Sequence, residues 1–377
     1  MSNLRYLFRI FLGHTITRLL RLDWMLLIIV VAISTIGFIA LFSAGYSMPE
    51  RVDAQLRNLL LAALSIVVVT LVPVRVYKNF SPYIYILGCI LLVLTLVMGV
   101  TVKGATRWIA IGGGLRIQPS EILKLATPLM LAWFYSKREE SISLLDHIGA
   151  FLILLIPMAL IIKQPDLGTS LMVAAAGFAV IFLAGLDKRI IYFGMGALIA
   201  ALPIIWTFLH DYQRERVLTL LDPSRDPLGK GFHIIQAVIA IGSGGFSGKG
   251  WMEGTQAHLD FIPEKTSDFL FAVYSEEFGF VGNLILIVLY ALLIGRSFYI
   301  ASVAPTRFSR LLAGSIGSIF FAYSFVNMGM VSGILPVVGV PLPFMSYGGT
   351  ALIILGIGTG MLLSISAESR QKFLGSS

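Results

Sequence analysis

Three acidic residues stand out because each comes where an apolar stretch begins. Glu121 follows Pro119, Asp166 follows Pro165, and Asp268 follows the polar segment 263–267. Proline suits the first turn of a helix, where its missing amide proton would have no partner. The spacing therefore predicts that each acid lies at the start of a helix.

Basic residues occur in the same segments, and no acid beside them in the sequence neutralises most of them. A carboxylate can accept a proton from an attacking hydroxyl group, and cations can stabilise an anionic leaving group. Lys124 comes three residues after Glu121, so the two share a helix face. The pattern predicts a site for an anionic substrate, with Glu121, Lys124, Asp166, Arg107, Arg116, Arg214 and Arg216 as candidate binding residues.

Helix capping is the alternative explanation for the three acids. Helix N-termini favour acidic residues, because their first amide groups lack partners and the helix dipole is positive there. Taken singly, each acid is more often a cap than a site residue. Three acids at one depth among cations favour a site, because ionisable groups at membrane depth usually line a cavity or pathway.

The composition indicates a membrane protein. The chain has 377 residues, of which 57% are hydrophobic and 13% charged, whereas soluble domains have about 45–50% and 25%. The lone cysteine, Cys89, excludes a disulfide within one chain. The net charge of +8 is spread over many short loops, which is typical of membrane proteins rather than of nucleic-acid-binding surfaces.

Apolar runs of about 20 residues predict the membrane spans. The fourth run is weak because it contains Glu121 and Lys124, and the eighth is interrupted by Glu276 and Glu277. At least one of these two glutamates should face the bundle interior. The predicted fold is an all-α polytopic membrane protein of about ten transmembrane helices, forming a single integral domain over residues 1–377. The spans are 25–43, 56–72, 82–101, 120–135, 147–162, 167–186, 190–209, 268–294, 310–332 and 343–366.

The basic residues also predict the orientation. Cytoplasmic loops of membrane proteins carry an excess of lysine and arginine, and the segments before span one, between spans two and three, and after span ten fit that rule. Both termini are therefore predicted to be cytoplasmic. In this topology Glu121, Asp166 and Asp268 all lie at the outer interface, and one large external loop, about 210–267, joins helices seven and eight.

The external loop contains an apolar stretch, 232–241, which is predicted to form a short helix at the interface. A glycine-rich run, 242–250, follows it. A nucleotide-binding P-loop would need glycine at 243 and Ser or Thr at 250, and neither is present. The later glycines Gly348 and Gly349 are predicted to serve close helix packing.

Several of these segments resemble the SEDS family (shape, elongation, division and sporulation), in particular its RodA-type members. The similarity extends from about residue 23 to 366, and the stretch 326–339 looks like the elongation type rather than the division type, FtsW. The most specific segments are 116–124, 164–170, 222–236, 240–245, 263–269 and 341–349.

The resemblance implies an inverting peptidoglycan glycosyltransferase in the bacterial inner membrane. Such an enzyme polymerises lipid II, an undecaprenyl-pyrophosphate-linked disaccharide, on the outer face during elongation and rod-shape maintenance. Its implied partners are a class B penicillin-binding protein and other membrane proteins of the elongation complex. The family's essential aspartate matches Asp268. The family often has histidine two residues earlier, where this chain has Thr266, which argues against any mechanism that needs this histidine.

Two other functions remain open on the sequence alone. A lipid II flippase would also be a multi-span protein with interior charges, although transporter sites usually lie near the bilayer midplane. A non-enzymatic scaffold would not need the buried carboxylates. A divalent cation, Mg²⁺ or Mn²⁺, bound at Asp268 is a variant of the enzymatic hypothesis, and the sequence does not specify it.

Overall fold

A computed structural model shows a helical bundle with one small antiparallel sheet. It describes residues 22–102, 105–112, 115–138, 142–208, 211–222, 230–259, 261–262 and 264–375. The helices are α1 (Trp24–Ala44), α2 (Pro49–Leu71), α3 (Val74–Met98), α4 (Pro119–Ser136), α5 (Leu144–Ile162), α6 (Leu167–Leu183), α7 (Lys188–Phe208), α8 (Asp211–Leu221), α9 (Lys230–Ser243), α10 (Thr255–His258), α11 (Leu270–Ser302), α12 (Arg307–Val331) and α13 (Gly349–Gly375). The strands are β1 (Val100–Val102), β2 (Ala105–Gly112) and β3 (Leu115–Ile117).

Each of the ten predicted spans corresponds to a helix, namely α1 to α7 and α11 to α13. Among the described residues, seven helices are long and apolar enough to cross a membrane: α1, α2, α3, α5, α11, α12 and α13. Helix α6 is apolar but has 17 residues. The predicted all-α polytopic membrane fold is confirmed.

Helix α4 lies in the centre of the bundle, in contact with α3, α5, α6 and α12. Its small and aliphatic residues, such as Leu123, Ala126 and Ala132, are fully buried. Helices α2 and α3 instead expose large apolar side chains, among them Leu60 and Ile86. Neighbouring helices therefore shield α4 from lipid, which explains how the weakest predicted span can hold charged residues at its start.

The sheet was not predicted, and it shortens the third span. Helix α3 ends at Met98 rather than at 101, and residues 100–102 form strand β1. The strand order is β1-β2-β3, with Val102 paired to Ala105 and Ile109 paired to Ile117. Strand β3 leads directly into α4, so the sheet is held at the end of α4 that carries Glu121.

Helix α11 is broken at Gly279, where φ is 63° and ψ is −158°. The glycine-rich run 242–250 packs against this break and bonds to the freed backbone groups. The Gly250 amide donates to the Glu277 carbonyl (3.1 Å), and the Phe280 amide donates to the Gly245 carbonyl (2.9 Å). Irregular backbone is tolerated in a membrane protein where the protein itself satisfies its polar groups.

Two predicted helix starts require correction. Helix α11 begins at Leu270 with Phe269 as its N-cap, so Asp268 precedes the helix and does not open it. Helix α13 begins at Gly349 rather than at 343. In its described residues, the predicted external loop contains three helices, and α9 includes the apolar stretch 232–241, which confirms the helix predicted there.

A polar cavity at the ends of α4, α6 and α11

A polar cavity of about 400 Å³ lies where strand β2, the starts of α4 and α6, and the turn before α11 meet. The segment 337–341 and the start of α13 complete its wall. Six of the eight predicted site residues line it: Arg107, Glu121, Lys124, Asp166, Arg216 and Asp268. Residues from distant parts of the chain thus converge on one cavity, as expected for a binding or catalytic site.

Two predicted site residues lie elsewhere or outside the described part. Arg214 does not line the cavity; its guanidinium donates to the carbonyls of Trp206 (3.1 Å) and Thr207 (2.7 Å) and so ties α8 to the end of α7. Arg116 pairs with Ala110 across β3 and β2, and its side chain lies outside the described residues.

Glu121 and Lys124 form a buried ion pair on α4. The distance from Lys124 Nζ to Glu121 Oε1 is 2.5 Å, and both side chains are less than a tenth exposed. The same ammonium group donates to the hydroxyl of Tyr323 on α12. Within the described residues, Glu121 Oε2 has no hydrogen-bond partner. A buried acceptor of this kind is suited to a substrate hydroxyl or amide.

Asp166 is both a helix cap and a cavity residue. Its carboxylate accepts from the Thr169 amide (3.2 Å) and the Thr169 hydroxyl (2.9 Å), which is the N-cap of α6. It also accepts from Gln118 Nε2 (3.0 Å), which links the starts of α6 and α4. The capping explanation and the site explanation therefore both apply to this residue.

Arg107 reaches the cavity because the sheet carries it there. Its Nη1 atom lies 3.7 Å from Asp166 Oδ1, which is longer than a hydrogen bond. Its other nitrogens donate to the carbonyls of Gln164 (3.3 Å) and Pro165. Two of the predicted cations, Lys124 and Arg107, thus face acids. In the described lining the formal charges of three cations and three carboxylates balance.

Asp268 lies partly exposed in the turn before α11. Asn327, which is fully buried on α12, donates to the Asp268 carbonyl (2.9 Å) and to the Val340 carbonyl (2.6 Å). Gly339 has φ +75°, and a Cβ there would lie 3.3 Å from Asp268 Oδ2. The backbone of Asp268 is therefore fixed, and its carboxylate faces the segment 337–341.

Thr266 makes structural contacts with α2 and with Tyr347. It is fully buried, and its hydroxyl accepts from Arg51 Nη1 on α2 (2.7 Å). Its carbonyl accepts from the Tyr347 amide (2.9 Å). This residue anchors the turn before Asp268 to α2 and does not line the cavity.

Several cavity residues were missed by the sequence analysis. Trp108 and Gln118 line the cavity beside predicted residues, and their adjacency to Arg107 and Pro119 was the available signal. Asn327, which supports the cavity wall through the Asp268 and Val340 carbonyls without lining it, could have been noticed as a lone amide in an apolar span. Gly348 and Gly349, predicted to serve helix packing, line the cavity at the start of α13.

Glu276 and Glu277 are both buried, which confirms that at least one faces the interior. Glu276 accepts from Lys249 Nζ (2.6 Å), and Glu277 accepts from the Ser43 hydroxyl. Neither lines the polar cavity. Among the residues with described positions, no group of three or more His, Cys, Asp or Glu side chains is placed to hold a metal ion.

Sequence comparison and structure comparison both relate this chain to the same group of proteins. Residues 19–371 match the family of cell cycle proteins named for FtsW, RodA and SpoVE. The chain is 48% identical to peptidoglycan glycosyltransferase MrdB of Escherichia coli strain K12, over 93% of this chain and 94% of that protein. It is 34% identical to stage V sporulation protein E of Bacillus subtilis strain 168, over 92% and 98%.

Two solved structures are similar to the whole bundle. One is a chain of a peptidoglycan synthase complex, described as showing structural coordination of polymerization and crosslinking (TM-score 0.81, 36% identity, 93% of this chain and 99% of that one). The other is the rod shape determining protein RodA of Thermus thermophilus (TM-score 0.70, 30% identity, 92% and 96%).

Proposed function

Since this chain belongs to the FtsW, RodA and SpoVE family and is a peptidoglycan glycosyltransferase, we propose that its polar cavity polymerises lipid II with Asp268 as the catalytic base. One observation carries this assignment. Asp268, Glu121 and Asp166, which are far apart in the sequence, line the same cavity of about 400 Å³ together with three cations. Acids and cations that converge in one cleft are the expected arrangement for acid–base chemistry on an anionic substrate.

The proposed reaction is a displacement at the anomeric carbon of the donor sugar. The C4 hydroxyl of the acceptor's N-acetylglucosamine attacks that carbon, and its proton passes to the Asp268 carboxylate. The new glycosidic bond forms as the bond from the anomeric carbon to the pyrophosphate oxygen breaks. The anomeric configuration inverts, and undecaprenyl pyrophosphate leaves with the bonding electrons.

The cations have different roles in this proposal. Two nitrogens of Arg107 are held by the Gln164 and Pro165 carbonyls, and its Nη1, 3.7 Å from Asp166 Oδ1, can donate to a pyrophosphate oxygen. Arg216 also lines the cavity and is the second candidate. Lys124 is held by Glu121 and Tyr323, so it acts through its charge from a fixed position. Arg214 supports α8 rather than the substrate.

The cellular setting follows from the predicted topology. With both termini in the cytoplasm, the cavity opens at the outer face of the inner membrane, where lipid II is presented. The similarity to MrdB and to a rod shape determining protein supports a role in elongation. The likeness to a chain of a complex that couples polymerization to crosslinking supports a class B penicillin-binding protein as the partner.

Purified full-length protein with lipid II in detergent tests the proposal, because a detergent micelle has no two sides across which to transport a lipid. We expect glycan strands longer than a single disaccharide, detected by gel electrophoresis of labelled products. If the folded protein makes no strands but moves lipid II across proteoliposome membranes, it is a flippase. If it does neither, a scaffold function would replace the enzymatic one.

A further inference from the structure

A second polar cavity, of about 160 Å³, lies at the opposite end of the bundle. It is formed where the start of α1, the end of α11 and the last turns of α13 meet. Its polar lining consists of Asp23, Arg296, Tyr299, Ser366, Ser369 and Arg370. The described part of the catalytic cavity shares none of these residues.

Two arginines share a single carboxylate in this cavity. Arg296 donates to both oxygens of Asp23 at 2.7–3.0 Å. Arg370 approaches the same carboxylate at 3.7 Å and donates to the Leu22 carbonyl (2.9 Å). Asp23 is almost fully buried and also caps α1 through the Leu26 amide. The formal charge of the lining among the described residues is therefore +1, and a second anion would balance it.

The position of the cavity matches a membrane interface. Helix α13 extends from Gly349 at the first polar cavity to Arg370 at this one, 21 residues, which corresponds to about 32 Å along a helix. The hydrocarbon core of a bilayer is about 30 Å thick. Tyr299 is exposed, and the centre of its ring lies 4.5 Å from the guanidinium carbon of Arg296. Exposed tyrosines are common where the hydrocarbon meets the headgroups.

We propose that this second cavity binds the phosphate group of an anionic lipid headgroup in the leaflet opposite the catalytic cavity. Basic pockets between transmembrane helices on the cytoplasmic side commonly bind such headgroups. Guanidinium groups bind phosphate through charge-assisted hydrogen bonds. The cavity holds about five water volumes, which is room for one phosphate group. Arg370 is the accessible donor, since 43% of its side chain is exposed.

Arg370→Gln tests the site while leaving the Asp23–Arg296 pair intact. The full-length protein is reconstituted in nanodiscs of equal parts phosphatidylglycerol and phosphatidylcholine, and the lipids it retains are counted by native mass spectrometry. We expect wild type to retain phosphatidylglycerol in preference, and Arg370→Gln to reduce that retention about tenfold, the effect of one charge-assisted bond. Arg370→Lys keeps the charge and should retain more lipid than Arg370→Gln.

Arg310→Gln is the matched control, because Arg310 is exposed at the start of α12, at the same end of the bundle. It should leave the lipid preference unchanged. Equal losses in Arg310→Gln and Arg370→Gln would overturn the site, since they would reflect general surface charge. Undiminished retention by Arg370→Gln would also overturn it. If Arg370→Gln does not fold, the absence of a phosphatidylglycerol preference in wild type would be decisive against the proposal.

A second arm separates a lipid headgroup from a free anion. Inorganic phosphate is added to wild type in phosphatidylcholine nanodiscs, and the thermal unfolding midpoint is compared with that in phosphatidylglycerol nanodiscs. The proposal expects phosphatidylglycerol to raise the midpoint and inorganic phosphate to have a smaller effect. Equal stabilisation, together with no lipid preference, would assign the cavity to free phosphate and contradict the lipid assignment.

Discussion

Asn327 joins two segments that line the polar cavity, the turn that carries Asp268 and the segment 337–341. Its amide nitrogen donates one proton to the carbonyl of Asp268 and the other to the carbonyl of Val340. The Val340 carbonyl is buried at this contact, and the Asp268 carbonyl is partly buried. The side chain therefore holds the turn that carries Asp268 in register with the segment that carries Gly339, and so acts as a positioning residue.

Asn327→Ala should slow glycan synthesis about ten- to hundredfold. Removing a donor from buried acceptors costs about 1–3 kcal/mol, and about 1.4 kcal/mol corresponds to a tenfold change in rate. The measurement is the initial rate of strand formation from saturating lipid II. Ser324→Ala is the control, because that hydroxyl lies on the same helix and bonds to the Phe320 carbonyl of its own helix. Equal rates for the two variants would rule out a positioning role for Asn327.

Glu121 and Lys124 should behave as one unit. Replacing either residue leaves the other buried without its partner, at a cost of about 1–3 kcal/mol in binding or folding. The double variant Glu121→Gln with Lys124→Gln removes both charges, so its effect should be much smaller than the sum of the two single effects. The measurement is a double-mutant cycle, built from the polymerisation rates of wild type, the two single variants and the double variant. Strict additivity would show that the two side chains are not coupled.

At the scale of elements, the break in α11 depends on glycine at 279. Its φ and ψ fall in a region that only glycine adopts readily. A Cβ there would overlap the backbone nitrogen of Gly248 in the glycine-rich run. The close approach of these two segments requires glycine on both sides.

Gly279→Ala should lower the thermal unfolding midpoint of the purified protein by several degrees. The strained backbone conformation alone costs about 1–3 kcal/mol. Gly295→Ala on the same helix is the control, since a Cβ there meets nothing within 4 Å and alanine favours a helix by up to about 1 kcal/mol. A midpoint for Gly279→Ala that equals that of Gly295→Ala would mean that the break tolerates a side chain.

The helices could be predicted from the sequence because long apolar runs are local signals. The starts of α4 and α6 could also be predicted, since Pro119 and Pro165 mark them. The sheet could not be predicted from such local signals. Strands β1 and β3 have three residues each, and their pairing depends on contacts that no periodicity records.

Part of the candidate site could be predicted because its acids stand at helix starts that the sequence marks. The helix-start acids and the family resemblance identified Glu121, Asp166 and Asp268, and the structure places all three at one cavity. The pairing of Arg107 with Asp166 could not be predicted, because it depends on the unpredicted sheet. The anchoring of Arg214 to the end of α7 likewise depends on how two helices meet.

For the whole molecule, the predicted orientation places the first polar cavity, the proposed catalytic site, outside and the second cavity inside. Cys89 is the single cysteine, so Cys89→Ser gives a background for labelling. We expect Glu253→Cys, before α10, to react with a membrane-impermeant maleimide on intact spheroplasts. Ser302→Cys, at the end of α11, should react after permeabilisation. Both positions are exposed. The reverse pattern would invert the topology and move the cavity to the cytoplasmic face.

The catalytic role that we propose for Asp268 has a physical requirement. A helix N-terminus stabilises a carboxylate and makes it a weaker base. Asp268 lies one residue before Phe269, the N-cap of α11, and so stands outside the first helical turn. A divalent cation bound by Asp268 is the alternative way in which this carboxylate could act, and restoration of a variant by exchange of Mg²⁺ for Mn²⁺ would favour it.

The most direct test of the account is strand synthesis by Asp268→Asn. This change keeps the size of the side chain, removes its charge and retains the backbone carbonyl that Asn327 binds. Asp53→Asn, at an exposed position on α2, is the matched control. With lipid II in detergent, we predict that Asp268→Asn makes no glycan strands while its thermal unfolding midpoint stays near that of wild type, and that Asp53→Asn makes strands at the wild-type rate. Near-normal strand synthesis by folded Asp268→Asn would contradict the assignment of the cavity as the catalytic site.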